Sequence, residues 1–143
     1  MALDSKPDIV TIMLGTNDAF TKYWDEKQFA DDYTEIVKEF MNLETKPKIY
    51  LLVPPPAYDV VYFEKKFNMT VLDKIYPTFI PKLALDLGLG NIDIYNKLGG
   101  ANKTNYELFC NGQNCDTVHP NNAGYFRMAS EVYKHILGPD MQN

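Results

Sequence analysis

An α/β fold built on a parallel sheet is predicted by three features of the sequence. Short, almost continuously apolar runs end at glycine or proline, amphipathic segments of helical period separate them, and the two kinds alternate along the chain. The first run, Ile9-Val10-Thr11-Ile12-Met13-Leu14, stops at Gly15 and reads as a parallel strand covered on both faces. After it, Phe29, Tyr33, Ile36, Val37 and Phe40 recur at helical spacing, while Asp31, Asp32, Glu35 and Lys38 take the opposite side, which predicts an amphipathic helix. The second strand, Ile49-Tyr50-Leu51-Leu52-Val53, is closed by Pro54-Pro55-Pro56. Val71, Leu72, Ile75, Tyr76, Phe79, Ile80, Leu83, Ala84 and Leu87 then keep the helical period behind a capping box of Thr70 and Asp73. Pro77 and Pro81 each remove an internal hydrogen bond, so this helix should be kinked or split into two abutting pieces. A third strand is expected around Asn91-Ile92-Asp93-Ile94-Tyr95, after the turn residues Gly88 and Gly90. The last helix should start near Asn121 or Asn122, bury Phe126, Ala129, Val132, Tyr133 and Ile136, and stop at Gly138-Pro139.

With 143 residues, 45% of them hydrophobic, the chain can bury a core without a disulfide framework, and it shows no repeat or linker that would divide it. A formal charge of −5, a single arginine (Arg127) and scattered lysines argue against nucleic acid as a partner. No apolar run approaches the ~20 residues of a membrane span, and no stretch of signal-peptide character precedes the first strand. Cys110 and Cys115 are too few for a structural zinc site; they bridge in an oxidising compartment or stay reduced. The sequons at Asn68 and Asn102 are no more than chance supplies. Three strands in sequential order would leave the apolar first strand at an edge with unpaired backbone, which natural sheets avoid. A neighbour is therefore expected to be missing, and self-association through the exposed first strand is expected of the chain alone.

Two clusters can carry chemistry. Gly15-Thr16-Asn17-Asp18 follows the first strand and so sits at the carboxyl end of the sheet, where ligands bind in open α/β folds. The Asn17 amide can donate to charge developing on a carbonyl oxygen; equally, Gly, Asn and Asp are ordinary turn residues. Asp116-Thr117-Val118-His119-Pro120 places a carboxylate three residues before an imidazole. In a tight turn the carboxylate can fix the tautomer and orientation of His119, leaving the outer ring nitrogen free to act as a base. Pro120 restricts the backbone of His119, and the positive end of the following helix disfavours imidazolium. The alternative is a surface histidine beside a helix cap. His135, in the last turn of the final helix, suits the dipole there and reads as structural. Asp116, His119 and His135 are too dispersed to hold a metal, and Gly88-Leu89-Gly90 lacks the third glycine and the preceding strand of a phosphate cradle, so neither metal nor cofactor is expected.

Gly15-Thr16-Asn17-Asp18 at a strand end, followed about a hundred residues later by Asp116-Thr117-Val118-His119-Pro120 opening the last helix, resembles the SGNH (GDSL-like) hydrolases throughout the chain. The resemblance implies a flavodoxin-like parallel sheet with helices on both faces and an ester hydrolase working by Ser-His-Asp acyl transfer. In it, Asn17 matches the oxyanion-hole asparagine, His119 the base and Asp116 the triad acid. The proline-rich turn and the stretch from Thr70 to Asp93 are most similar to carbohydrate O-acetylesterases of the sialate or acetylxylan type, which implies a small-molecule or carbohydrate ester as substrate. The chain departs from the pattern in one respect. The family's Gly-Asp-Ser nucleophile block and the block with its oxyanion glycine are absent, and the only serines are Ser5 and Ser130. Residues 1–143 thus read as a single incomplete domain lacking the N-terminal strands and the nucleophile, inactive by itself. The alternative is a pseudoenzyme or binding module that keeps the fold without turning substrate over.

Overall fold

A computed structural model describes residues 2–58, 61–62, 65–102, 104–110 and 117–138. Asp116 and Cys115 lie outside them, and so does the Pro139 stop signal.

The central sheet has three parallel strands in the order β1-β2-β5: β1 (Ile9–Ile12), β2 (Lys48–Val53) and β5 (Gly90–Asp93). Val10 lies opposite Ile49 and Ile12 opposite Leu51, while Leu52 pairs with Ile92. Because strand side chains alternate, Val10, Ile12, Ile49, Leu51 and Val53 face one layer and Leu52 and Ile92 the other.

The first layer consists of α1 (Glu26–Met41) and α2 (Tyr76–Leu87). Asp25 caps α1 by accepting from the Gln28 N–H at 2.9 Å, and the predicted apolar stripe delivers Tyr33 and Val37 to the core. The second layer holds the single-turn helix α3 (Ile94–Lys97) and the long α4 (Asn122–Leu137). Leu98, Phe109 and Met128 close over Ile92 and Ile94 there. A short antiparallel pair, β3 (Val61–Tyr62) and β4 (Lys65–Lys66), forms a separate two-stranded sheet. The α/β class is as the sequence predicts, and the three parallel strands stand in sequential order.

Four local expectations are corrected. The third strand ends at Asp93, whose carboxylate caps α3 by accepting from the Asn96 N–H at 3.0 Å; Ile94 and Tyr95 are therefore helical. Gly90 is the first residue of β5 rather than a turn residue, and a Cβ there would come within 2.3 Å of the Tyr50 ring. Thr70 makes no side-chain cap; the helix passes instead through a π-helical segment, Val71–Ile75, into α2. Opening the turn in this way accommodates Pro77, which has no N–H to give and whose ring crowds the carbonyl of a preceding α-helical turn.

The fourth correction concerns α4. Gly124, Met128 and Glu131 face the protein, Val132 and Ile136 are half-buried, and Ala129, Tyr133 and Phe126 are exposed, Phe126 at 76%. Gly124 sets this rotation, since a Cβ would meet the Leu108 carbonyl oxygen at 2.4 Å and only a glycine admits the turn at Leu108.

The register places Thr11 beside Tyr50, so Ile9, Thr11 and Met13 project on the face shared with α4, and all three are exposed. Among the described residues β1 pairs only with β2. An open edge and an open apolar face on one strand form a template for pairing with another chain. We therefore expect the 143-residue chain to sediment as a dimer or larger species at micromolar concentration. A monodisperse monomer with a sharp thermal transition would contradict this.

Candidate active site

Since β1, β2 and β5 run parallel, the segments that follow them gather at one end of the sheet. The segment after β1 begins at Gly15 with φ +117°, a conformation open to glycine and strained for other residues. Its carbonyl closes a turn by accepting from the Ala19 N–H at 3.1 Å, which leaves Asn17 and Asp18 exposed at the apex. Downstream, the Asn68 N–H donates to the Ala19 carbonyl at 2.7 Å, and Phe20 stacks on Phe67 with ring centroids 4.3 Å apart. Upstream, the buried Tyr76 hydroxyl donates to the Gly15 carbonyl at 2.7 Å.

The segment after β2 runs through Pro54-Pro55-Pro56 to Tyr58, whose N–H donates to the Thr117 carbonyl at 3.1 Å. Thr117 takes a positive φ of +57°, a strained conformation for a β-branched residue, of the kind that gathers at functional sites. Val118 turns inward and joins Ala19, Ala57 and Phe67 in the core, while His119 is exposed.

Beyond His119 the chain is clamped again. The Asn121 N–H donates to the Leu108 carbonyl at 2.8 Å, its side-chain amide donates to the Glu107 carbonyl at 2.6 Å, and its Oδ1 caps α4 by accepting from the Gly124 N–H at 3.1 Å. Thus the Tyr58–Thr117 bond fixes the His119 turn from one side and Asn121 fixes it from the other. Gly124→Ala would press a methyl against Leu108 and Pro120, whose Cβ would lie 2.7 Å from it. This should cost about 1–3 kcal/mol. Thermal denaturation checks it, and an unchanged Tm would show that the clamp yields.

The structure brings Asn17 and His119 to the same end of the sheet, on turns anchored to neighbouring strands. Asp116 lies outside the described residues. Ser5 belongs to a short 3-10 helix (Ala2–Ser5) before β1, at the opposite end of the sheet. Ser130 donates its hydroxyl to the Phe126 carbonyl at 2.9 Å, within α4. Neither serine stands at this site. His135 Nδ1 bonds the Glu131 carbonyl at 2.9 Å in the last turn of α4, in keeping with a structural role. Tyr58 is buried, with its ring edge-on to Tyr106 at 4.8 Å and to Phe109 at 5.1 Å; burial pushes its phenol above the ordinary range. Cys110 is disulfide-bonded.

The sequence profile of the GDSL-like lipase/acylhydrolase family matches residues 1–127. The chain belongs to this family. Its members are carboxylic-ester hydrolases, and the fold agrees with solved structures. A lipase/acylhydrolase from Enterococcus faecalis superposes with a TM-score of 0.72 at 20% identity, over 94% of this chain and 63% of that one. A carbohydrate esterase family 3 protein from Talaromyces cellulolyticus gives 0.69 at 20% identity, over 95% and 60%. An acetylxylan esterase from Geobacillus stearothermophilus gives 0.70 at 22% identity, over 94% and 61%. The GDSL-like chain therefore spans little more than three fifths of the length of these structures. No curated protein sequence matches it.

The sequence pointed to Asn17 and His119 because each stands next to a strand end or helix start that periodicity reveals. It gave no sign of the Tyr58–Thr117 bond or of the Asn121 clamp, which join residues far apart in the chain through backbone atoms. Gly124 carried a weak signal, a glycine inside a helical pattern.

Proposed function

We propose that the chain forms the greater part of a serine ester hydrolase that removes acyl groups from carbohydrate, with the nucleophilic serine supplied by residues outside these 143. The reading is supported by the placement of two turns: Asn17 follows β1, and the His119 turn is tied through Thr117 to the segment that follows β2. The serine oxygen attacks the ester carbonyl while His119 takes its proton, and Asp116 orients His119. Asn17, with backbone N–H groups, holds the tetrahedral oxyanion. His119 then returns the proton to the departing alcohol, and water hydrolyses the acyl-enzyme by the same steps. A carbohydrate ester is favoured by the resemblance of the proline-rich turn and of residues 70–93 to O-acetylesterases. The structural likeness to an acetylxylan esterase points the same way; the catalytic mutants of that protein replace a serine and an aspartate.

Residues 1–143 are read as a single incomplete domain. The positions of Ser5 and Ser130, each away from His119, favour a second reading for the chain alone, a binding module that keeps the fold without turnover. One experiment decides between them. The coding DNA upstream of Met1 is sequenced for an in-frame strand ending in Gly-Asp-Ser, and the resulting protein is assayed with p-nitrophenyl acetate and acetylated xylo-oligosaccharides. Hydrolysis of both supports the carbohydrate esterase. Hydrolysis of the first alone overturns the carbohydrate assignment, and a well-folded but inert protein establishes the binding module.

A further inference from the structure

We propose that Tyr76 is a positioning residue for the oxyanion donor: its hydroxyl, fixed on the Gly15 carbonyl, sets the turn that presents Asn17. The inference rests on the esterase reading for its catalytic meaning and on geometry for the contact itself. Tyr76 is 1% exposed, and its hydroxyl reaches Gly15, sixty-one residues earlier in the chain, at 2.7 Å. The same carbonyl accepts the Ala19 N–H that closes the turn, so one oxygen joins the tyrosine to the loop. Gly15 is matched to this partner, since a Cβ on it would lie 2.9 Å from the phenol carbon that bears the hydroxyl.

The tyrosine is held in turn. Its ring meets Phe29 at 4.8 Å and Trp24 edge-on at 5.7 Å. It stands where the π-helical turn hands over to α2, with its own N–H donating to the Val71 carbonyl. π-Turns are rare and recur at functional sites, where the extra residue per turn re-aims the side chains beyond it. Burial, with the Asp18 charge nearby, raises the phenol above its ordinary value, which favours the neutral, hydrogen-bond-donating form. The downstream end of the turn is tied by backbone bonds at Ala19 and Thr21. At the upstream end, the tie made by a side chain is Tyr76. A loose upstream end would let the Asn17 amide swing away from a developing oxyanion, and a misplacement of about 1 Å can cost about a hundredfold in rate.

The test compares Tyr76→Phe with Tyr33→Phe in the 143-residue chain. Tyr33 is a neighbouring buried phenol whose hydroxyl lies 3.4 Å from the Ile12 carbonyl, within β1. Hydrogen exchange over residues 15–19 should accelerate about tenfold in Tyr76→Phe. The core strands should stay protected, and Tyr33→Phe should leave the turn as it was. Exchange within about twofold of the parent, or equal acceleration in both variants, overturns the proposal. In the serine-bearing protein, Tyr76→Phe should lower kcat about 10- to 100-fold with KM nearly constant; an unchanged kcat overturns the catalytic role. If the unsubstituted serine-bearing protein is inert, the esterase reading fails, while the exchange result still decides whether Tyr76 holds the turn.

Discussion

Replacing His119 with alanine in the serine-bearing protein is expected to lower kcat for p-nitrophenyl acetate by about ten-thousand-fold, with KM changing only a few-fold. On the proposed mechanism, removing the base leaves the hydroxyl at its ordinary, weakly nucleophilic state, so the loss falls on kcat rather than KM. Each factor of ten corresponds to about 1.4 kcal/mol of barrier, so the loss amounts to about 5 kcal/mol, far above what a rearranged surface loop produces. The stability of the variant should hardly move, because His119 is exposed while the residues on either side of it, Val118 and Pro120, are buried. A kcat within tenfold of the parent would show that His119 is not the base. A parallel fall in Tm would show that the imidazole serves the fold instead.

The second large effect falls on stability and is measurable in the 143-residue chain. Gly15→Ala should destabilise it by about 4 kcal/mol, from two sources that add at one atom. The φ of +117° is one that an L side chain rarely adopts, at a cost of about 1–3 kcal/mol. The new methyl would also stand 2.9 Å from Tyr76 Cζ and 3.1 Å from Phe29 Cε2, inside a packed aromatic cluster; overpacking of this kind costs about 1–3 kcal/mol more. The melting temperature should therefore fall by about 10 °C or more. Gly88→Ala is the internal control: Gly88 also has positive φ, at +67°, but nothing lies within 4 Å of its missing Cβ. That substitution should cost about 1 kcal/mol, since only the backbone term operates. Equal costs at the two positions would mean that the Tyr76 contact carries no energy.

The two expectations probe opposite sides of one construction. Asn17 and His119 are exposed, whereas Gly15, Tyr76, Val118 and Gly124, which hold their turns, are buried. A site on surface turns is most precise when the backbone beneath it is held by packed, buried residues.

Local sequence was enough for the strand–helix alternation and for the two turns that carry Asn17 and His119. Each depends on local information: hydrophobic period, the residues that stop a strand, and the cap that starts a helix. It also predicted the bare first strand, because an apolar parallel strand requires partners whatever surrounds it. Tertiary structure alone decided the rest. Period could not show which side of α4 faces inward, because the exposed Phe126, Ala129 and Tyr133 are more apolar than the inward-facing Gly124 and Glu131; the close approach at Gly124 settles it. The break at Asp93, where Ile94 and Tyr95 leave the strand, turns on a cap made by a carboxylate that strand patterning leaves out of account. The contacts between Tyr76 and Gly15 and between Tyr58 and Thr117 span about sixty residues each. No local pattern encodes such contacts, because they exist only once the sheet has brought the ends of its strands together.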